Sequence, residues 1–195
     1  MTRVPMIAAG RGLGAARGFE RERDDYYPTP ARPICALLDV EEFPGGVWEP
    51  ACGNGAMSRV LIQYGRLSTV STDLIYRGYG RGGVDFLKAR SLRRPNVATN
   101  PPFKHWQEFA AHALELGARK VALLGRLMLL GGWERSQFFL RTRLTRVWGV
   151  GRIDMLPPGA VDAGFGGTIE FAWFVWDRSS SARRYQGPII NWVKP

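Results

Sequence analysis

The stretch Gly46–Gly65, GVWEPACGNGAMSRVLIQYG, decides the fold, because it predicts a strand, a glycine turn and a helix in succession. Glycines at 53 and 55 allow the backbone to approach a ligand closely, and the N-terminus of the helix offers free N–H groups. Glu49 stands beside this turn, where a carboxylate would repel a pyrophosphate and suit an ammonium group. The stretch therefore favours a ligand with a free amine over a dinucleotide.

The segments around this unit alternate between strand-like and helix-like patterns. Helices are predicted near 31–41, 104–118 and 131–146, and strands in LSTVSTD (67–73), NVAT (96–99), RKVALLGRLMLL (119–130), VWGVGRIDML (147–156) and TIEFAWFVWDR (168–178). The segment VDFLKARSLRRP (84–95) is a short connection, although a strand-like piece ends at Asp85, in VDF (84–86). Such alternation predicts an α/β fold, with a mixed, mostly parallel seven-stranded sheet and helices on both faces. The last two strands flank a Pro/Gly loop, which predicts a C-terminal antiparallel hairpin.

Length and composition limit the classes of protein and partner. The 195 residues suit one catalytic domain over 25–195, without a separate target-recognition domain, preceded by a flexible basic arm at 1–24. The net charge is +10, which favours a polyanion such as nucleic acid, although solvated charged faces would explain it equally well. The two cysteines lack metal-ligand spacing, so no metal and a reducing, cytoplasmic compartment are expected. No apolar run is long enough to span a membrane, so no membrane association is expected.

Polar side chains follow several of the predicted strands. Asp73 lies 18 residues after Gly55, a spacing at which an acid commonly binds ribose hydroxyls. Asp85 and Phe86 could bind an adenine, or could be a helix cap followed by a core residue. In NPPF (100–103), two prolines end a strand and fix Asn100 beside an aromatic ring. Because parallel strands share a carboxyl edge, these side chains are expected to line one cleft.

Four of these elements together resemble a known family. YYPTP (26–30), WEPACGNG (48–55), VDFL (84–87) and NPPF (100–103) are similar to the motifs of class I S-adenosylmethionine (SAM)-dependent amino-methyltransferases. The order and types of motif most resemble the gamma-class DNA adenine-N6 methyltransferases, including small phage and prophage enzymes. The resemblance implies a Rossmann-like fold, SAM as cofactor, and a bacterial or phage-infected cell as location. It also implies methyl transfer to the exocyclic N6 amine of adenine in DNA, by base flipping and direct in-line transfer, with short or relaxed sequence specificity.

The resemblance also implies roles for individual residues. Thr29 and Glu49 would hold the methionine end of SAM, Asp73 the ribose, and the Asp85–Phe86 pair the adenine. The complete cofactor-binding set would be Thr29, Glu49, Pro50, Ala51, Gly53, Gly55, Asp73, Leu74, Asp85, Phe86 and Asn100.

The target amine would meet the NPPF tetrapeptide. Asn100 and the Pro101 carbonyl would accept hydrogen bonds from the amine, Pro102 would hold the turn rigid, and Phe103 would stack on the base. Phe165, in the loop between the last two strands, is a candidate second ring against the base. Arg126 is a candidate phosphate contact, in an arginine set that could equally be a solvated helix face: Arg126, Arg135, Arg141, Arg143, Arg146 and Arg152.

Other substrates fit the same motifs. Methylation of RNA, at adenine N6 or guanine N2, and of protein glutamine are alternatives, because NPP[Y/F] occurs in those enzymes too. From a different class, the chain could be a catalytically silent SAM-fold protein that binds nucleic acid. The presence of Glu49, Asp73, Asp85 and Asn100 together argues against a silent copy.

Overall fold

The computed structural model describes residues 26–153, 169–179 and 187–193. The helices are α1 (Ala31–Leu38), α2 (Ala56–Gln63), α3 (Trp106–Glu115) and α4 (Trp133–Thr142). The strands are β1 (Val47–Glu49), β2 (Thr69–Ser71), β3 (Asn96–Thr99), β4 (Lys120–Arg126), β5 (Arg146–Arg152), β6 (Glu170–Asp177) and β7 (Ile189–Trp192). The predicted arm 1–24 and the loop residue Phe165 lie outside the described residues. Within the described ranges, no helix is long and apolar enough to cross a membrane.

The described strands form one sheet of seven, in the order β2-β1-β3-β4-β6-β5-β7. Strands β1 to β4 are parallel neighbours, and β6 lies antiparallel between β4 and β5. Strand β7 pairs in parallel with β5 at the far edge. The predicted α/β fold, with a mixed and mostly parallel sheet and an antiparallel C-terminal pair, is confirmed.

Helices cover both faces of the sheet. Successive side chains of its central strands point to opposite faces, and they are apolar on both. In β6, one face carries Phe171, Trp173 and Val175, and the other carries Ala172, Phe174 and Trp176. The first face packs against α1 and α2 through Ile34 and Leu61. The second packs against α3 and α4 through Trp106 and Phe139. This sandwich holds the carboxyl ends of the parallel strands in fixed positions.

Two strand predictions were wrong, although the total of seven was right. The VDF piece forms no strand: Val84 donates its N–H to the Asp73 carbonyl, and a short 3₁₀ turn follows at Phe86–Lys88. The stretch therefore folds back over the end of β2 and does not extend the sheet. The seventh strand is β7, which the sequence patterns did not predict. The predicted long strand 119–130 ends at Arg126, which is paired with Phe171 near the start of its antiparallel partner β6.

A buried ion network lies at the amino end of β4 and β5, opposite the predicted cleft. The Glu41 carboxylate accepts hydrogen bonds from Lys120 at 2.6 Å, from the Arg146 Nη2 at 2.9 Å and from the Trp148 indole at 2.9 Å. Asp177 pairs with the same two cations, at 3.4 and 2.8 Å. Although burial alone would raise the pKa of Glu41, hydrogen bonds from Arg146 and Lys120 lower it. Arg146 is thus a structural residue, and its inclusion among possible phosphate contacts was wrong.

Candidate functional site

The cleft lies where the parallel strands end. Glu49 is the last residue of β1 and pairs in register with Ser71 of β2. Asn100 directly follows β3, and Asp73 lies two residues beyond β2. The fold thus brings Glu49, Asp73 and Asn100 to one edge of the sheet, as parallel topology requires.

The glycine turn between β1 and α2 is tightly covered. Gly53 and Gly55 both adopt left-handed backbone conformations, with φ of +53° and +83°. A Cβ atom at Gly53 would lie 2.4 Å from the Tyr26 ring, and one at Gly55 would lie 2.3 Å from the Tyr79 ring. The Tyr26 hydroxyl also accepts the N–H of Asn54 at 3.2 Å. The turn therefore requires glycine at both positions, because each has a left-handed backbone conformation and an aromatic ring packed closely against it.

Glu49 is a buried carboxyl group at the floor of the cleft, with only 2% of its surface exposed. The Ser58 hydroxyl donates a hydrogen bond to it, and this hydroxyl lies 2.5 Å from that of Ser71. Burial is the main cause that raises the pKa of Glu49 to about 8; the nearby Asp73 charge acts in the same direction, and the hydrogen bond from Ser58 acts against it. Without a cationic ligand, this carboxyl group is therefore mostly protonated at neutral pH.

Asp73 joins the end of β2 to the glycine turn. Its Oδ2 accepts the Gly53 N–H at 2.7 Å, and its Oδ1 accepts the Ile75 N–H at 2.9 Å. An ionised carboxylate has about four acceptor positions. Asp73 can thus hold the turn and still accept hydrogen bonds from a ligand such as a diol.

The Asp85–Phe86 pair divides into a polar and a core residue. The Asp85 Oδ1 caps the 3₁₀ turn by accepting the Leu87 N–H at 3.0 Å, and its Oδ2 lies 3.3 Å from Lys88. The Phe86 ring is buried between Trp48, at 5.0 Å, and Phe109, at 4.9 Å. This arrangement favours the cap-and-core interpretation for the Phe86 side chain and leaves Asp85 partly exposed to a ligand.

Asn100 holds a buried acceptor just beyond the end of β3. Its Nδ2 donates to the hydroxyl of the buried Thr29 at 3.1 Å, which ties the amide to the YYPTP segment. Its Oδ1 is buried and has no hydrogen-bond partner among the described residues. A buried acceptor without a partner is costly in free energy, so such groups commonly mark a position where a ligand donor binds.

Phe103 is surrounded by planar groups. Tyr27 is nearly parallel to it, with centroids 6.5 Å apart and 26° between planes, and Phe171 lies at 6.1 Å. The Arg126 guanidinium stands 4.8 Å over the ring, and its Nε is buried without a hydrogen-bond partner in the described part of the chain. Phe103 and Arg126 therefore lie together, in one corner of the site.

The remaining predicted residues occupy less informative positions. Pro50 is buried in the turn after β1, Ala51 is half-buried, and Leu74 is exposed beyond Asp73. Phe165 lies outside the described residues, so its role stays a prediction. Among the described residues, no group of three or more His, Cys, Asp or Glu side chains could hold a metal ion.

Sequence reasoning missed the groups that support the site from behind. Ser58 and Tyr79 lie on α2 and on the loop after β2, so nothing local links them to Glu49 or Gly55. Tyr26 and Tyr27 had a signal, because they belong to the same YYPTP motif as Thr29. Their aromatic type and position before two prolines could have suggested contacts with the glycine turn.

No protein-family model matches the chain, and no curated protein sequence matches it. Solved structures nevertheless share its fold. A proposed RNA methyltransferase from Pyrococcus horikoshii matches with a TM-score of 0.59 at 15% identity, over 84% of this chain and 92% of that one. A modification subunit assigned to a type I restriction enzyme from Vibrio vulnificus matches with a TM-score of 0.51 at 16% identity, over 84% of this chain and 45% of that one.

The M protein of the type I restriction enzyme EcoKI matches with a TM-score of 0.52 at 15% identity, over 79% of this chain and 44% of that one. The chain thus spans less than half the length of both restriction-enzyme proteins. At these identities the likeness shows the fold, which is the Rossmann-like fold of SAM-dependent methyltransferases.

Proposed function

We propose that this protein is a SAM-dependent methyltransferase that modifies the N6 amine of adenine in DNA. The observation that carries the proposal is the buried Asn100 Oδ1, which lacks a partner in the described structure and follows β3 beside Phe103. An acceptor at this position suits an exocyclic amine, which has two N–H groups to donate. A hydrogen bond from a bound amine would satisfy this acceptor, whose lack of a partner is otherwise costly in free energy.

The residues of the cleft fit the cofactor. The buried Glu49 carboxyl group would bind the ammonium of the methionine end, and the glycine turn would pass beneath it. Asp73 retains acceptor capacity for the two ribose hydroxyls, and Asp85 for the adenine amine. When bound, SAM supplies an electrophilic methyl group on a sulfonium, so the protein needs to position a nucleophile and needs no metal.

The NPPF segment supplies that positioning. An adenine amine is a poor nucleophile, because its lone pair is delocalised into the ring. Hydrogen bonds from the two N–H groups to the Asn100 Oδ1 and the Pro101 carbonyl would favour a pyramidal nitrogen and direct its lone pair at the methyl group. The proton leaves afterwards from an acidic ammonium, so a buried general base is unnecessary.

A flat aromatic substrate suits the corner around Phe103. The base would stack on Phe103, whose ring already has the planar Arg126 guanidinium 4.8 Å away. To reach this corner, a base in a duplex must leave its helix. The net charge of +10 agrees with a polyanionic substrate. The likeness to modification proteins of DNA restriction enzymes supports DNA, and the likeness to a proposed RNA methyltransferase keeps RNA as the alternative.

A tritiated-methyl transfer assay tests the proposal. Labelled SAM and the purified protein are incubated with unmethylated duplex DNA, single-stranded DNA, RNA or protein extract, and the products are resolved as nucleosides or amino acids. We expect N6-methyladenine from DNA. Label in RNA or on glutamine would contradict the DNA assignment, and SAM binding without label in any substrate would favour a catalytically silent protein.

Substitution of Asn100 separates catalysis from cofactor binding. Asn100→Ala should lower turnover by about 100-fold or more, the size of effect seen when one positioned catalytic hydrogen bond is removed. The affinity for SAM should change only a few-fold. Asn191→Ala, on the exposed strand β7, is the matched control and should be unaffected. Normal turnover by Asn100→Ala would refute the proposed role.

A further inference from the structure

The loop after β2, residues 74–83, contains a motif that the proposed catalytic site does not use. Its sequence LIYRGYGRGG mixes tyrosines, arginines and glycines. The larger segment 74–94 holds six basic residues and one acidic residue, so it contributes half of the net charge of +10. Mixed aromatic and arginine side chains between glycines are a pattern of segments that bind single-stranded nucleic acids.

The loop is anchored at both ends to β2 and Asp73. The Arg81 N–H donates to the Ser71 carbonyl at 3.0 Å, and the Asp73 N–H donates to the Arg81 carbonyl at 2.9 Å. The Gly83 N–H donates to the Leu74 carbonyl at 3.2 Å, which closes the loop. These bonds fix the loop beside Asp73, at the carboxyl end of the edge strand β2.

Glycines make this compact loop possible and direct Tyr76 outward. Gly78, Gly80 and Gly83 have φ values of +84°, +64° and +71°, which few other residues adopt without strain. Gly82 packs directly against Tyr76. A Cβ atom added at Gly82 would lie 2.5 Å from the Tyr76 Cβ and 2.9 Å from its backbone N and Cα. The Tyr76 side chain is consequently 66% exposed.

Tyr76 is more exposed than Tyr79, the other tyrosine of this loop. The Tyr79 ring lies on Gly55 under the Arg59 guanidinium, so it is engaged in holding the turn. Tyr76 and the side chain of Arg81 instead face solvent. An exposed ring and an exposed guanidinium in the same loop offer one stacking surface and one phosphate contact.

We infer that the loop 74–83 binds the single-stranded polynucleotide next to the target base, with Tyr76 stacking on a neighbouring base and Arg81 contacting a phosphate. The inference rests on the proposed function for the choice of a nucleic-acid substrate. It goes beyond that function by specifying that the bound strand is unpaired, because a projecting ring can stack on the bases of a single strand but not on those of an intact duplex. Either DNA or RNA strands present the stacked bases and phosphates that this surface recognises.

Fluorescence anisotropy with labelled 20-nucleotide single strands of DNA and RNA, and with the matching duplex, tests the inference. Tyr76→Ala should weaken binding of a single strand about five-fold or more, since one base stack is lost. Tyr76→Phe should bind like the unaltered protein, because the stacking face remains. Equal affinity for Tyr76→Ala and the unaltered protein, or a preference for duplex, would overturn the inference.

The charge contact has its own measurement. For Arg81→Gln, the slope of log K against log salt concentration should become shallower by about 0.7, the value for one phosphate contact on a single strand. Arg119→Gln makes the same charge change at an exposed residue beside the amino end of β4 and should leave the slope unchanged. Equal slopes for both variants would refute the Arg81 contact. If the unaltered protein binds no nucleic acid at all, the proposed function fails with it, whereas loop variants that bind normally refute the inference alone.

Discussion

Glu49 allows a quantitative test of the cofactor site through its protonation. Burial raises the pKa of this carboxyl group to about 8 in the protein without ligand. At pH 7 about nine-tenths of the molecules therefore carry a proton on Glu49. A ligand whose ammonium binds this group requires the ionised carboxylate, so binding should release that proton.

The pH dependence of affinity follows from the same pKa. Below pH 8 the carboxyl group must lose its proton before it can pair with the ammonium, at a free-energy cost of about 1.4 kcal/mol per pH unit. The association constant for SAM should thus rise about tenfold for each pH unit between pH 6 and pH 7.5. Glu49→Gln keeps the size of the side chain but cannot ionise. This variant should bind more weakly and show a nearly flat profile over the same range.

Isothermal titration calorimetry provides the assay. Titrations at pH 7 in phosphate and in Tris, whose ionisation enthalpies differ, give the number of protons released on binding. The difference between the unaltered protein and Glu49→Gln should be about nine-tenths of a proton. S-adenosylhomocysteine has the ammonium but no sulfonium and should release the same proton. Binding of SAM without proton release, or with equal release in the Glu49→Gln variant, would refute the assignment of Glu49 to the ammonium.

The other predictions concern stability and are measured by urea unfolding. Gly78→Ala introduces a Cβ into open space at φ +84° and should lower the free energy of unfolding by about 1 kcal/mol. Gly55→Ala adds a clash with the Tyr79 ring and should lower it by a further 1–3 kcal/mol, and similar losses for both variants would contradict the close packing. Glu41→Gln leaves two buried cations underpaired and should lower it by about 3–5 kcal/mol. Folding lowers the pKa of Glu41, so its ionised carboxylate stabilises the protein above about pH 4.5, and this stabilisation is lost in acid. Between pH 6 and pH 3, the free energy of unfolding of Glu41→Gln should therefore fall less than that of the unaltered protein.

Local patterns in the sequence were sufficient for most of the fold. The glycine turn before α2 and the proline pair after β3 are short-range signals, and each follows from backbone conformation alone. The continuous apolar run FAWFVW (171–176) predicted a core strand, and the structure shows both faces of β6 buried. These signals also placed Glu49, Asp73 and Asn100 at one edge, because a parallel sheet leaves no other arrangement.

Long-range contacts explain what the sequence could not provide. Glu41 and Arg146 are 105 residues apart, and no periodicity connects them. Strand β7 consists of four exposed residues, so it lacks the burial pattern on which strand prediction depends. The VDF piece has the composition of a strand, but Asp85 caps a turn there, and tertiary hydrogen bonds to Asp73 determine its conformation.

The position of β6 has a consequence for how the protein is made. Strand β4 lies at the centre of the sheet, between β3 and β6. Its hydrogen-bonding edge on the β6 side stays unpaired until β6, which begins at Glu170, has been made. At 5–20 residues per second, a ribosome needs about 2–10 s to proceed from the end of β4 to the start of β6. During that interval the nascent chain has an apolar strand with an unpaired edge, and β5, already synthesised, normally pairs elsewhere. Completion of the core is therefore delayed until β6 has been synthesised, and chaperones that shield strand edges would have most effect on yield before that point.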